Sequence, residues 1–265
     1  MELYSTDTIR WMKLYILAMS AVVFFLGSGV FLVSEIYKRN NEVVVITPPP
    51  ISTPTPQPTP TPTPSPTPLP QSILYDVPFT SQAPSGQWNN EIYQNGCEEA
   101  SMLMAMKWVR GEELTKDEAE REIAAISNYE IELYGHAVDQ SAIDTATVMR
   151  GYFGYDQIEV VDQASSEKII IELMKGHIVI APMNGRLLGN PNFTAPGPLQ
   201  HMVVVVGYDL STNEFITNDP GTRNGKQYRY NTQVFDVAMR DYPTGKHEPI
   251  IITLKKIIVI QPMKV

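Results

Sequence analysis

The chain has 265 residues, with 20 Lys and Arg against 29 Asp and Glu, a formal net charge of −9, 22 prolines and one cysteine. An acidic balance of this size argues against nucleic acid or anionic lipid as the partner of the folded part. A single cysteine excludes an internal disulfide framework and a cysteine-cluster zinc site.

Residues 1–13 read as a short N-terminal tail. Leu14 to Val33, LYILAMSAVVFFLGSGVFLV, is a run of 20 residues without a charge, which matches the roughly 20 that a helix needs to cross the hydrocarbon core. A single transmembrane helix is expected over 14–33. The rival, a cleaved signal peptide, would have an apolar region of about 7–15 residues ending in a small-residue cleavage site, which this run does not match. Arg10 and Lys13 before the span balance Lys38 and Arg39 after it, so the flanking charges leave its orientation open.

A juxtamembrane segment, 34–46, leads to Thr47–Pro70, TPPPISTPTPQPTPTPTPSPTPLP, with proline at nearly every second position and no charge. Such a segment cannot pack a core and predicts an extended polyproline II stalk, on the order of 75 Å long at about 3.1 Å per residue. Its use is to hold a domain away from a membrane, which places residues 71–265 on the extracytoplasmic side. Positive and negative charges cancel before Ser72, so the net −9 sits on that domain. Its length suffices for one well-buried core.

Within the domain, Ile73–Phe79 reads as extended and Ser81–Asn90 as a turn-rich loop. A helix is expected from Gly96 or Cys97 to Arg110, with Ala100, Leu103, Met104 and Trp108 at helical spacing and Gly111 as its stop. Thr115-Lys116-Asp117-Glu118 is a capping-box signature for a second helix to about Ile126. Further helices are expected over Gln140–Tyr152 and Ser166–Lys175, and a strand over His177–Ala181. Gly185–Gln200 is a long loop of the kind that forms lids. His201–Tyr208 and Glu214–Asp219 flank a turn and predict a hairpin. Tyr228–Tyr230 and Ile250–Leu254 read as strands, and Ile257–Ile260 as a weaker one. Helices first and antiparallel strands later argue for an α+β fold.

Cys97 at a helix N-terminus sits where unpaired N–H groups and the macrodipole favour an anion, which predicts a lowered thiol pKa and a nucleophile. The competing reading is a small buried apolar side chain. In a hairpin centred on Leu210, His201 and Asp219 face each other, and an Asp beside a His orients the ring and stabilises its charged form. Taken alone, His201 reads as a strand-end residue and Asp219 as part of an Asp-Pro-Gly turn; together with Cys97 they form a nucleophile, base and orienter. His136, His177 and His247 lack metal spacing and read as solvated or core residues. Asn192-Phe193-Thr194 fits the N-glycosylation pattern, a triplet common by chance. No metal or cofactor is expected.

Val77-Pro78-Phe79-Thr80-Ser81-Gln82, Gly96-Cys97-Glu98-Glu99-Ala100-Ser101, His201 to Asp209 and Asn218-Asp219-Pro220-Gly221 occur in the order seen in the C39-like peptidases. The chain resembles that family of papain-fold cysteine peptidases over about Leu74 to Phe235. The resemblance implies a papain-like α+β domain with the Cys helix packed on an antiparallel sheet, and Cys97 as nucleophile, His201 as base and Asp219 as orienter. It also implies a glutamine at the oxyanion, a position Gln82 matches, with Gln87 and Gln94 nearer to Cys97. Glu98 and Glu99 stand where many relatives have Gly-Pro, and their charge opposes a thiolate. The expectation is therefore a single-pass membrane protein whose extracytoplasmic domain cleaves a peptide or protein substrate, with no nucleic-acid partner. The alternatives are a peptidoglycan endopeptidase or amidase acting on cell-wall peptide with the same triad, and an inactive papain-like binding or adhesion module.

Overall fold

The computed structural model describes residues 71–247, 249–251 and 254–263. The expected tail, transmembrane helix, juxtamembrane segment and stalk lie outside these residues. Among the described residues no helix is long and apolar enough to cross a membrane.

The first half is helical. After the short strand β1 (Ser72–Leu74) and a one-turn helix α1 (Glu91–Gln94) come α2 (Cys97–Arg110), α3 (Lys116–Tyr134) and α4 (Ala142–Phe153). The boundaries of α2 agree with its sequence signals: Gly111 ends it in the left-handed region at φ 63°, where its N–H reaches the carbonyls of Lys107 and Trp108. Thr115 caps α3 as the capping box predicts, its Oγ1 accepting the Glu118 N–H at 3.3 Å. That helix does not stop at Ile126 but runs on to Tyr134, because no glycine or proline interrupts the chain before Gly135.

α2 is buried on nearly every side, between α3 and α4 on one flank and the strands β3 (Ile178–Asn184) and β4 (Gln200–Asp209) on the other. Met102, Leu103, Met104 and Met106 are fully enclosed, and each such side chain contributes about 1.5–3 kcal/mol relative to exposure. The Met-rich helix is core, as its composition predicts.

The second half supplies most of an antiparallel sheet, ordered β2-β7-β3-β4-β5-β6, with β1 pairing β4 beyond the end of β3. The strands are β2 (Ile158–Asp162), β3 (Ile178–Asn184), β4 (Gln200–Asp209), β5 (Glu214–Asn218), β6 (Tyr228–Asn231) and β7 (Lys256–Ile260). Alternate residues of β4 enter two different cores: Met202, Val204 and Val206 pack in the α2 cluster, whereas Val203 and Val205 pack with Ile169 and Leu173 of α5 (Ser166–Met174) and Phe235 of α7 (Thr232–Ala238). Both faces of the sheet are covered, which accounts for the unbroken apolar run in β4. The α+β expectation and the Cys helix against an antiparallel sheet are both observed.

One strand expectation fails, one strand is unforeseen, and the weaker candidate over Ile257–Ile260 is observed. β2 had no place in the sequence reading. Ile250, Ile251 and Leu254 lie outside any strand, Ile251 being 87% exposed, and Ile252 and Thr253 are not among the described residues. The weaker candidate at the C-terminal end is instead β7, between β2 and β3, with Ile257 to Ile260 buried. An apolar run alone does not tell a strand from a surface segment; a pairing partner on each side does.

Candidate active site

The N-terminus of α2 is set by close packing. A Cβ on Gly96 would lie 3.0 Å from the Ile92 carbonyl and 3.2 Å from Ile123 Cγ2, so a glycine lets the chain turn into the helix against α1 and α3. Cys97, the first helical residue, is 7% exposed, and the first N–H groups of the helix have no intrahelical partner. Two contacts fix this helix end to the start of β4. Ser101 Oγ donates to the Met202 carbonyl at 3.3 Å, and the Tyr242 hydroxyl lies 2.7 Å from Glu98 Oε1 and 3.1 Å from the His201 carbonyl.

His201 is the second residue of β4, and its Nε2 lies 2.8 Å from Asp219 Oδ1. The route to that contact differs from a simple hairpin centred on Leu210. A register shift between Val205 and Gly207 sets Val204 opposite Asn218, so the same register carried one step on would set Asp219 opposite Val203. His201 and Asp219 meet diagonally rather than face to face, within reach for side chains of this length.

Asp219 is fully buried and accepts four hydrogen bonds. Oδ1 takes His201 Nε2 and the Gly221 N–H at 2.9 Å; Oδ2 takes the Tyr230 hydroxyl at 2.5 Å and Asn190 Nδ2 at 3.3 Å. Burial pushes this carboxyl up, but the His201 charge, the hydrogen bonds from His201 and Tyr230 and the Gly221 N–H outweigh it and hold its pKa below the ordinary value. Asn190 and Tyr230 were not found in the sequence; Asn190 comes from the loop that was read as a lid. The first turn of that segment is a helix, α6 (Gly185–Leu188), and the loop proper lays Phe193 edge-on to the His201 ring at 5.2 Å. Gly221 is required beside both rings, since a Cβ there would stand 2.8 Å from His201 Cε1 and 2.9 Å from Phe193 Cε1.

Cys97, His201 and Gln82 line one cleft of about 280 Å³, together with Gln94, Asp139 and His247. Gln87 is exposed and outside it. Gln82 is buried, and its Nε2 is already engaged, 2.7 Å from the Gln94 carbonyl and 3.1 Å from that of Tyr93. His247, read from sequence as a bystander, stands at the cleft with its Nδ1 2.9 Å from Asp139 Oδ2. Neither residue carries a local signal; both are found only through contacts across more than 100 residues. His177 instead pairs with Glu172 at 2.8 Å. Among the described residues no group of three or more His, Cys, Asp or Glu is arranged to hold a metal ion.

The thiol departs from the helix-dipole expectation. Burial pushes the Cys97 thiol well above its ordinary value, and the Glu98 charge and hydrogen bond, then Glu99 and Asp139, push it the same way. Cys97 Sγ donates to Glu98 Oε2 at 3.0 Å, and no hydrogen bond joins it to His201. The resting group is a neutral thiol held on a carboxylate. Glu98→Gln removes the nearest charge and should lower the apparent pKa of Cys97 alkylation by about one unit or more. Because nucleophilicity falls as thiol pKa falls, the rate at pH 7 should rise by only about three- to tenfold. An unchanged pH profile would refute this account of Glu98.

The family model described as "Peptidase_C39 like family" matches residues 74–244. Among solved structures, that of a protein from Bacillus anthracis assigned as a C39-like peptidase is similar, with 16% sequence identity and a TM-score of 0.48, over 73% of this chain and 99% of that one. No curated protein matches the chain. The family match covers well over half of the chain and contains every residue of the cleft and of the His201–Asp219 network named above except His247, and on it the chain belongs to the C39-like peptidase family.

Proposed function

We propose that the protein is a cysteine peptidase with Cys97 as nucleophile, His201 as base and Asp219 as orienter, held at the cell membrane by residues 14–33 with its domain on the extracytoplasmic side. The observation that supports it best is the buried His201–Asp219 pair opening onto the same cleft as a cysteine at the head of a helix.

The Asp219 contact at Nε2 favours the neutral tautomer with its proton there, which leaves the Nδ1 lone pair for Cys97. As Sγ attacks the substrate carbonyl, its proton passes to Nδ1 and the C=O electron pair moves onto oxygen. The Cys97 N–H at the start of α2, which has no intrahelical partner, serves as an oxyanion donor, whereas those of Glu98 and Glu99 are met by their own carboxyls. Gln82 can join it only by releasing one of its two carbonyls. The imidazolium returns its proton to the leaving nitrogen as the C–N bond breaks. Water, deprotonated by Nδ1, then releases the acyl group and restores the thiol.

The raised thiol pKa favours a second reading, a papain-like binding or adhesion module. A peptidoglycan endopeptidase or amidase would keep the chemistry and change the substrate. The test is to incubate the full chain with a mixed peptide library and with purified cell walls, and to follow released peptides and the intact mass of the protein. A peptidase acylates Cys97 and releases peptide from the library; a wall enzyme does so only from walls. If iodoacetamide modifies Cys97 yet neither substrate gives an adduct or product, the binding module is the correct reading.

A further inference from the structure

We propose that Asp139 is a substrate subsite, and that the cleft takes a peptide carrying a cationic group, a Lys or Arg side chain or a free amine, beside the bond at Cys97. The assignment rests on the peptidase reading of that cleft. Asp139 is 6% exposed and lines the cleft, with its backbone in the left-handed region at φ 50°. The Gly245 N–H reaches its carbonyl and that of Val138, both at 3.0 Å, which fixes the carboxyl on the cleft wall. Oδ2 faces His247 Nδ1 at 2.9 Å, and Oδ1 has no hydrogen-bond partner among the described residues.

A carboxyl so far removed from water keeps its charge at least cost beside a partner that stays charged. Its present partner has a side chain 63% exposed and carries charge only when protonated. His247 is therefore an exchangeable placeholder, whereas Asp139 is held in position. No Lys or Arg lines the cleft, and Glu98 adds a second carboxyl of the same sign behind Cys97. Trp88 and Phe193 on the lining offer aromatic surface for the stem or head of a cationic side chain. A guanidinium or ammonium could bond Oδ1 directly and displace His247 from Oδ2, whereas an acidic side chain would meet only repulsion.

The experiment needs no substrate. On the full chain, the rates at which Cys97 is modified by aminoethyl and sulfonatoethyl methanethiosulfonate, one cationic and one anionic, are measured and their ratio taken. The ratio cancels changes in the reactivity of the thiol itself. The expected result is a ratio of about ten or more in favour of the cation, falling at least threefold in Asp139→Asn and rising in His247→Ala, where the competing imidazole is gone. A misfolded variant cannot produce that rise. Ratios that stay within twofold across the three proteins overturn the subsite. The peptidase reading fails separately, if modification by an uncharged reagent is unaffected by His201→Ala.

Discussion

Turnover by Asp219→Asn is expected to fall by between about 10²- and 10⁴-fold with the fold intact, and alkylation of Cys97 at neutral pH to fall with it. The size of the effect follows from the state of the thiol. Where a thiolate and an imidazolium already stand side by side, the orienter need only hold the ring, and an uncharged Asn serves. Here Cys97 is kept protonated by burial and Glu98, and in the proposed mechanism it gives its proton to His201 only during attack. The full negative charge of Asp219, 2.8 Å from Nε2 and shielded from water, is what stabilises the imidazolium so formed.

An amide also fits the site poorly. Each Asp219 oxygen accepts two donors: His201 and Gly221 on one, Tyr230 and Asn190 on the other. An Asn can offer acceptor oxygen to only one of these pairs and must turn its own N–H groups toward the other. A loss below about threefold would mean that the ion pair exists at rest, or that Asp219 is a turn residue without influence on His201. Circular dichroism and the midpoint of thermal unfolding separate either outcome from collapse of the fold.

The parts of the site that were legible in the sequence share one property: a local signal marks them. Gly96 before Cys97 and Gly111 after Arg110 bracket α2, Thr115 and Glu118 open α3, and two β-rich runs about a turn of five residues announce β4 and β5. Residues that act through distant contacts were invisible. Tyr242 reaches Glu98 across 144 positions, Tyr230 enters from β6, Asn190 from a loop, and Asp139 and His247 meet across 108 positions. The strand register departs from the expectation because the turn lies further along the chain: Asp209 faces Glu214, which centres the hairpin between Ser211 and Thr212, and the irregularity between Val205 and Gly207 brings Asp219 one step nearer His201. β1 packs its Ile73 carbonyl so close to Gly207 that a Cβ there would stand 2.3 Å away. The helix dipole was read correctly as a field and wrongly as the sum of fields, because burial of Glu98 and Glu99 could not be known before α2 was placed.

That same burial predicts an unusual dependence of stability on pH. Glu130 of α3 is fully enclosed, and the group it meets is the carboxyl of Glu99 on α2. Its oxygens have no other hydrogen-bond partner among the described residues. Burial and the Glu98 charge push Glu130 up to about 8, and burial with the Glu130 and Glu98 charges pushes Glu99 well up. Two like carboxyls in a dry site cannot both ionise at little cost, so the pair retains a proton. For a group whose folded pKa lies above its unfolded value, the native state binds more protons in the interval between the two. Stability is then complete below the unfolded value of about 4.5 and is lost as pH rises toward 8. Glu98 and Asp139, both raised by burial first, act in the same direction. The unfolding midpoint should therefore fall steadily between about pH 5 and pH 9, for a loss on the order of several kcal/mol from Glu130 alone. Glu130→Gln keeps the shape and removes the proton: at pH 5 it should be neutral or slightly destabilising, since a buried amide donor lacks a partner, and at pH 9 it should be clearly more stable than wild type. The two curves should cross between these limits. Parallel curves would mean that Glu130 is ionised and compensated in the folded protein, and that the Cys97 helix does not rest on a shared proton.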